Sequence, residues 1–115
     1  MKISKEKITD FTVINIDGRI DTNNYSDLEE ELNRLFNSRE TNLIINCSGL
    51  NYICSSGLRV FLVTQKKAIS VNGKLSFCNL QPAIKEIFTI SGFTSIFQIF
   101  DTLEQAMNIN SNLSC

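Results

Sequence analysis

The stretch Leu50-Asn51-Tyr52-Ile53-Cys54-Ser55-Ser56-Gly57-Leu58-Arg59-Val60-Phe61-Leu62 decides how this chain is read. It passes from an apolar segment, through two hydroxyls and a glycine, into residues that recur at helical spacing. One reading makes Ser55 the cap of the following helix, accepting a hydrogen bond from a first-turn N–H and contributing about 1 kcal/mol, with Gly57 allowing a close approach. The other uses the same geometry. A hydroxyl in a loop at a helix N-terminus is open to a partner, and the free N–H groups and helix dipole there tolerate an added phosphate. On these residues alone both stand.

Working outward, the helix that follows is expected from about Ser56 to Val71, with Leu58, Phe61, Leu62, Ala68 and Ile69 on one side and Asn72-Gly73 as its stop. Before it, Leu43-Ile44-Ile45 is the short continuous apolar run of a strand covered on both faces. After it, Leu75 to Leu80 reads as another strand. A strand, helix, strand unit of this length suits a parallel crossover and implies helices packed on a sheet.

The flanks agree with that class. Lys2 to Ile8 and Phe11 to Ile16 read as strands around a turn at Thr9-Asp10, the second rich in β-branched residues and ended by Asp17-Gly18. From Thr22 the period becomes helical: Tyr25, Leu28, Leu32, Leu35 and Phe36 form a stripe, with acids in the early turns and Arg34 and Arg39 late. Pro82 opens a short helix that Ser91-Gly92 closes. Ile96 to Phe100 is a last short strand, and Asp101-x-x-Glu104 resembles a capping box for a terminal helix through Met107. The remaining tail, about 109–115, is expected to fray.

The chain has 115 residues, which suits a single domain, 1–115, able to bury roughly two thirds of its unfolded surface. Lys and Arg total 11 against 12 Asp and Glu, for a net charge of -1, so the basic footprint of phosphate-backbone binding is missing and nucleic acid is not an expected partner. No apolar run approaches a membrane span, and the charged start MKISKEKITDF lacks the core of a secretory signal, so a cytoplasmic location is expected.

The chain contains no His, which excludes Ser-His and Cys-His nucleophilic pairs and mixed Cys/His zinc sites. GxSxG and Gly-rich phosphate loops are absent as well. No catalytic residue, metal site or cofactor is expected, and the chain is not read as an enzyme. The four cysteines, Cys47, Cys54, Cys78 and Cys115, include no CxxC and are expected as free thiols. Cys47 and Cys78 fall in strand patterns, and Cys115 is expected to be exposed. Cys54, beside a helix start, is either a reactive thiol or a small buried hydrophobe.

The run LIINCSGLNYICSSGLRVFL resembles the central motif of STAS domains, the anti-sigma factor antagonist family, in which a loop of the form Asp-Ser-Ser/Thr-Gly-Leu enters a helix. Upstream, NIDGRIDTNN is similar to the family's Gly-x-Leu/Ile-Asp segment, and the order of elements agrees over nearly the whole chain. The resemblance implies a single-domain α/β sandwich, a mixed, mostly parallel sheet with helices packed on it. It implies bacterial transcription regulation by protein-protein interaction. By the same resemblance, the unphosphorylated domain is expected to bind an anti-sigma factor of the GHKL kinase type and so free a sigma factor, with that partner phosphorylating the domain and a PP2C-type phosphatase resetting it.

By position the resemblance makes Ser55 the phosphorylated residue. It makes Asp21, Ser55, Ser56, Gly57 and Leu58 the partner-binding set, with Asp21 an acidic contact for the kinase. Asn46 and Cys54 stand where the family often has aspartates, so those carboxylates play no part here. At Cys54 the change removes both like-charge repulsion against a phosphate on Ser55 and a possible kinase contact. Two alternatives remain: a STAS subunit of a transporter or stress-sensing assembly that works without phosphorylation, and a thiol redox protein, which the lack of CxxC disfavours.

Overall fold

Two long strands, β2 (Phe11–Ile20) and β3 (Asn42–Ile53), lie side by side and parallel through the middle of the molecule. Both outrun their sequence expectation. In β3 the residues that enter the main core after Ile45 are Cys47, Leu50 and Ile53, a spacing of three that does not look like a strand. Two bulges explain it. The register passes from Asn15↔Asn46 to Asp17↔Gly49 and from Gly18↔Leu50 to Arg19↔Tyr52, inserting an extra β3 residue each time. Each bulge restores the inward turn of the next apolar side chain and lets the ladder continue. Gly18, expected to end β2, sits within it at φ 96°, a left-handed conformation glycine adopts without strain.

The structure, a computed structural model, describes residues 1–113, with side chains through Asn108. Its sheet has the order β1-β2-β3-β4-β5, where β1 is Lys2–Ile8, β4 is Lys74–Cys78 and β5 is Gln98–Phe100. Only β1 runs antiparallel; the other pairings are parallel. The expected mixed, mostly parallel sheet is therefore present. Each strand joins beside its predecessor, so the connecting helices α1 (Tyr25–Asn37), α2 (Ser55–Ser70) and α3 (Pro82–Ile90) pack on one face. The other face carries α4 (Leu103–Leu113), whose Ala106 is buried with Phe11, Val13, Ile44 and Cys78.

The main core lies under α1, α2 and α3. Its densest part is aromatic: Phe61 meets Phe77 edge-on at 5.0 Å between ring centroids, Phe77 meets Phe88 at 5.5 Å, and Phe93 and Phe97 close the cluster. The α1 stripe is buried at Leu28, Leu32, Leu35 and Phe36, as the period requires. The α2 face differs from expectation. Its buried residues are Gly57, Val60, Phe61, Thr64 and Ala68, with Leu58 and Leu62 only partly covered and Ile69 largely exposed. Thr64 can lie inside because its hydroxyl donates to the Val60 carbonyl at 2.7 Å.

Three helix ends also shift. Residues Thr22 to Asn24 form a turn, so α1 starts at Tyr25. The cap of α4 is Thr102, whose Oγ1 accepts the Gln105 N–H at 3.1 Å, while Gln105 Oε1 accepts the Asp101 N–H at 3.1 Å. The capping pair thus stands one residue beyond the Asp101-x-x-Glu104 reading. The helix also continues past Met107 to Leu113, since Asn and Ser lower helix propensity without breaking the ladder as Gly or Pro would. Of the tail expected to fray, 109–115, the backbone through Leu113 is helical, while residues 114–115, and with them the exposure expected of Cys115, lie outside the described residues.

Candidate functional site

Where β2 and β3 end, the chain turns twice within a small space. The N–H of Cys54 donates to the Ile20 carbonyl at 2.9 Å, tying the entry of α2 to the last residue of β2. Cys54 holds the N-cap position in an extended conformation (φ -88°, ψ 171°) and makes no side-chain cap bond. Ser55 is therefore the first residue inside the helix and not its cap, which removes the capping reading of the opening motif. It is exposed, and its hydroxyl bonds to no other described residue. The first turn of α2 also carries no acidic residue. The helix therefore supplies neither a capping side chain nor a carboxylate of its own to its positive end.

Gly57 works inward. A Cβ at this position would stand 2.6 Å from Ile20 Cγ2 and 2.9 Å from Ile53 Cγ1, far inside contact distance. The missing side chain seats the first turn of α2 on the strand ends, so Gly57 supports the site by packing and does not itself offer an approach to a partner. Leu58 is half-buried against the main core. Ser56 is half-buried at a groove of about 300 Å³ between α1 and α2, with Tyr25, Glu29, Arg59, Val60 and Val63.

Asp21 closes β2 beside this helix start. Its N–H donates to Asn24 Oδ1 at 2.8 Å, its carbonyl accepts from the Tyr25 N–H at 3.0 Å, and its Oδ1 accepts from the Asn23 N–H at 3.0 Å. Asn24 also donates from Nδ2 to the Arg19 carbonyl at 2.9 Å, stitching the turn from both sides. The Asp21 carboxylate is thus held in place by backbone while staying partly exposed. Asn24 escaped the sequence reading, although an Asn just ahead of a helical stripe is a turn signal.

Of the two positions where the resemblance leads one to expect aspartates, that of Asn46 holds the sheet together. Asn46 Nδ2 donates to Asn15 Oδ1 at 2.8 Å, and Asn46 Oδ1 accepts from Asn79 Nδ2 at 3.0 Å and from the Ser48 N–H at 3.2 Å. This asparagine bridges three successive parts of the sheet, and a carboxylate could not make the donating bond to Asn15. Cys54 is half-buried at the helix entry, whereas Cys47 and Cys78 are fully buried. Burial pushes both of those thiols up, that of Cys78 to about 11, which leaves them protonated and inert near neutral pH.

The STAS domain family model matches residues 2–106. This chain belongs to the STAS domain family. Among its relatives is BtrV of Bordetella bronchiseptica, named as an anti-sigma factor antagonist, 36% identical over 106 residues that cover 92% of this chain and 91% of that protein. The STAS fold seen here also superposes on an anti-sigma factor antagonist from Thermotoga maritima with a TM-score of 0.88, at 16% identity and 92% coverage of both chains. It superposes on the Bacillus cell fate determinant SpoIIAA in its phosphorylated form with a TM-score of 0.74, at 24% identity, covering 93% of this chain and 97% of that one. At such identities these likenesses concern the STAS fold. Among the described residues no helix is long and apolar enough to cross a membrane, and no cluster of His, Cys, Asp or Glu could hold a metal ion.

Proposed function

We propose that this STAS domain is an anti-sigma factor antagonist switched by phosphorylation of Ser55, a regulatory binding module and not an enzyme. The observation that carries the reading is the placement of Ser55: exposed, free of hydrogen bonds to other described residues, and first in a helix whose N-terminus has neither a side-chain cap nor an acidic residue. Its relative BtrV, named an anti-sigma factor antagonist, supports the class of partner.

In the unphosphorylated state the partner, an anti-sigma factor of the GHKL kinase type, covers the helix start and Asp21, and its sigma factor is free. The kinase transfers the γ-phosphoryl group of ATP to Ser55 Oγ, releasing ADP and the hydroxyl proton. The product carries about -1.5 to -2 charge and three strong acceptors. That charge suits the helix N-terminus, so the domain stays folded, but it sits beside the Asp21 carboxylate in the middle of the contact surface. The complex separates, and a PP2C-type phosphatase restores the hydroxyl by hydrolysis.

The test is phosphopeptide mapping after incubation with purified GHKL-type anti-sigma factors of the source genome and ATP, beside binding titrations of the parent, Ser55→Ala and Ser55→Asp. One phosphate on Ser55 is expected. Ser55→Ala should remain bound and Ser55→Asp should bind about a hundredfold more weakly, about 2.7 kcal/mol. Because Ser55 is not the cap, Ser55→Ala should change stability by less than about 0.5 kcal/mol. No phosphate, together with parent-like binding by Ser55→Asp, would refute the switch and leave a passive binding surface of the kind a larger assembly uses.

A further inference from the structure

Beside the switch helix but on the opposite face of the sheet stands a pair of side chains that the core does not use. Arg19 and Tyr52 are register partners on β2 and β3. Because their neighbours Ile20 and Ile53 turn into the main core, these two turn the other way. The second bulge of β3 leaves Asn51 and Tyr52 exposed in succession and aims the tyrosine at Arg19. The Arg19 guanidinium lies 4.1 Å from the Tyr52 ring centroid, and Arg19 Nε stands 4.0 Å from Asp21 Oδ2. The helix on this face, α4, packs at the other end of the strands, against Phe11, Val13, Ile44 and Cys78.

We infer that the stacked Arg19–Tyr52 pair extends the Ser55 contact surface and sets partner specificity, taking an anti-sigma factor that presents a carboxylate to Arg19 and apolar surface to the Tyr52 ring. The inference rests on the reading of Ser55 and Asp21 as a partner surface. Tyr52 is three residues from Ser55, so their Cα atoms lie within about 11 Å, and a typical interface of roughly 800 Å² per side spans both. Arg and Tyr are the residue types in which binding energy concentrates. Stacking fixes the guanidinium before the partner arrives, which lowers the ordering cost of the contact. The neighbouring Asp21 gives the surface a fixed order of cation then anion, and a partner with the reverse order is selected while one with matching order is repelled.

The experiment measures binding of Arg19→Glu, Arg19→Lys, Tyr52→Ala and Tyr52→Phe to the GHKL-type anti-sigma factor that the parent binds, at low and high salt, with Ser55→Asp as a separate variant. Arg19 and Tyr52 are both exposed side chains, and circular dichroism melting verifies the fold of each variant. Arg19→Glu is expected to weaken binding at least tenfold, with a smaller loss at high salt, and Tyr52→Ala about fivefold or more. Tyr52→Phe, which keeps the ring, should be close to the parent, and Arg19→Lys should fall between. Binding of Arg19→Glu and Tyr52→Ala within twofold of the parent overturns the inference. Ser55→Asp separates the two readings: weakened binding there with parent-like Arg19 and Tyr52 variants keeps the switch and removes only the specificity element.

Discussion

Replacing Gly57 by Ala sets two effects of opposite sign against each other. In most helices Gly→Ala stabilises by about 1 kcal/mol, through helix propensity and loss of unfolded-state freedom. Here the new methyl would lie 2.6 Å from Ile20 Cγ2, 2.9 Å from Ile53 Cγ1 and 3.3 Å from Ile53 Cδ1, where carbon atoms rest at about 3.5 to 4.0 Å. The two nearest atoms are close to their own backbones, so neither can swing aside as a flexible chain end would. Overpacking of this kind costs about 1 to 3 kcal/mol. The strain should win, leaving Gly57→Ala less stable by about 1 kcal/mol in urea denaturation, with the slope unchanged. Ile20→Leu removes the offending Cγ2, so the double variant should be less destabilised than the sum of the singles, a coupling of about 0.5 to 1 kcal/mol. A Gly57→Ala protein as stable as the parent or more so would refute the claim that the glycine seats the switch helix on the strand ends.

Phe61→Ala should cost about 3 to 5 kcal/mol, since Phe61 is fully buried and edge-packed on Phe77 and Phe88, while Arg59→Ala on the exposed side should stay within about 0.5 kcal/mol; a denaturation midpoint that barely moves for Phe61→Ala would contradict the packing. Glu40 accepts hydrogen bonds from Lys7 and Thr12, which hold its carboxyl below the ordinary 4.5. A lowered folded value means the unfolded chain binds more protons in acid, so this stability is present above about pH 4.5 and is lost as the pH falls through the lowered value. Glu40→Gln should therefore flatten the loss of stability between roughly pH 5 and pH 3, and an unchanged acid limb in denaturation at stepped pH would show that the contact does not persist in solution.

The apolar stripe of α1 and the alternation in the first half of β2 can be read directly because each holds a constant period, α1 against the main core and β2 with Ile14 and Ile16 on that side and Phe11 and Val13 on the other. The Ser-Ser-Gly motif likewise marks a strand-to-helix junction whatever surrounds it. What the chain alone left undecided lies where two elements set each other's conformation. The inward spacing of three at Cys47, Leu50 and Ile53 makes sense only as bulges in a ladder with β2. The inward side of α2 is chosen by Ile20 and Ile53 meeting Gly57, which turns Val60 and Thr64 in and Ile69 out. Ser55 also moves from cap to first helical residue because the Cys54 N–H is taken by the Ile20 carbonyl, fixing the N-cap one position earlier. The stacking of Arg19 on Tyr52 joins residues 33 positions apart only through strand register. Periodicity and turn chemistry are local and are written in the sequence. Register and close approach depend on the partner strand or helix, and tertiary packing decides them.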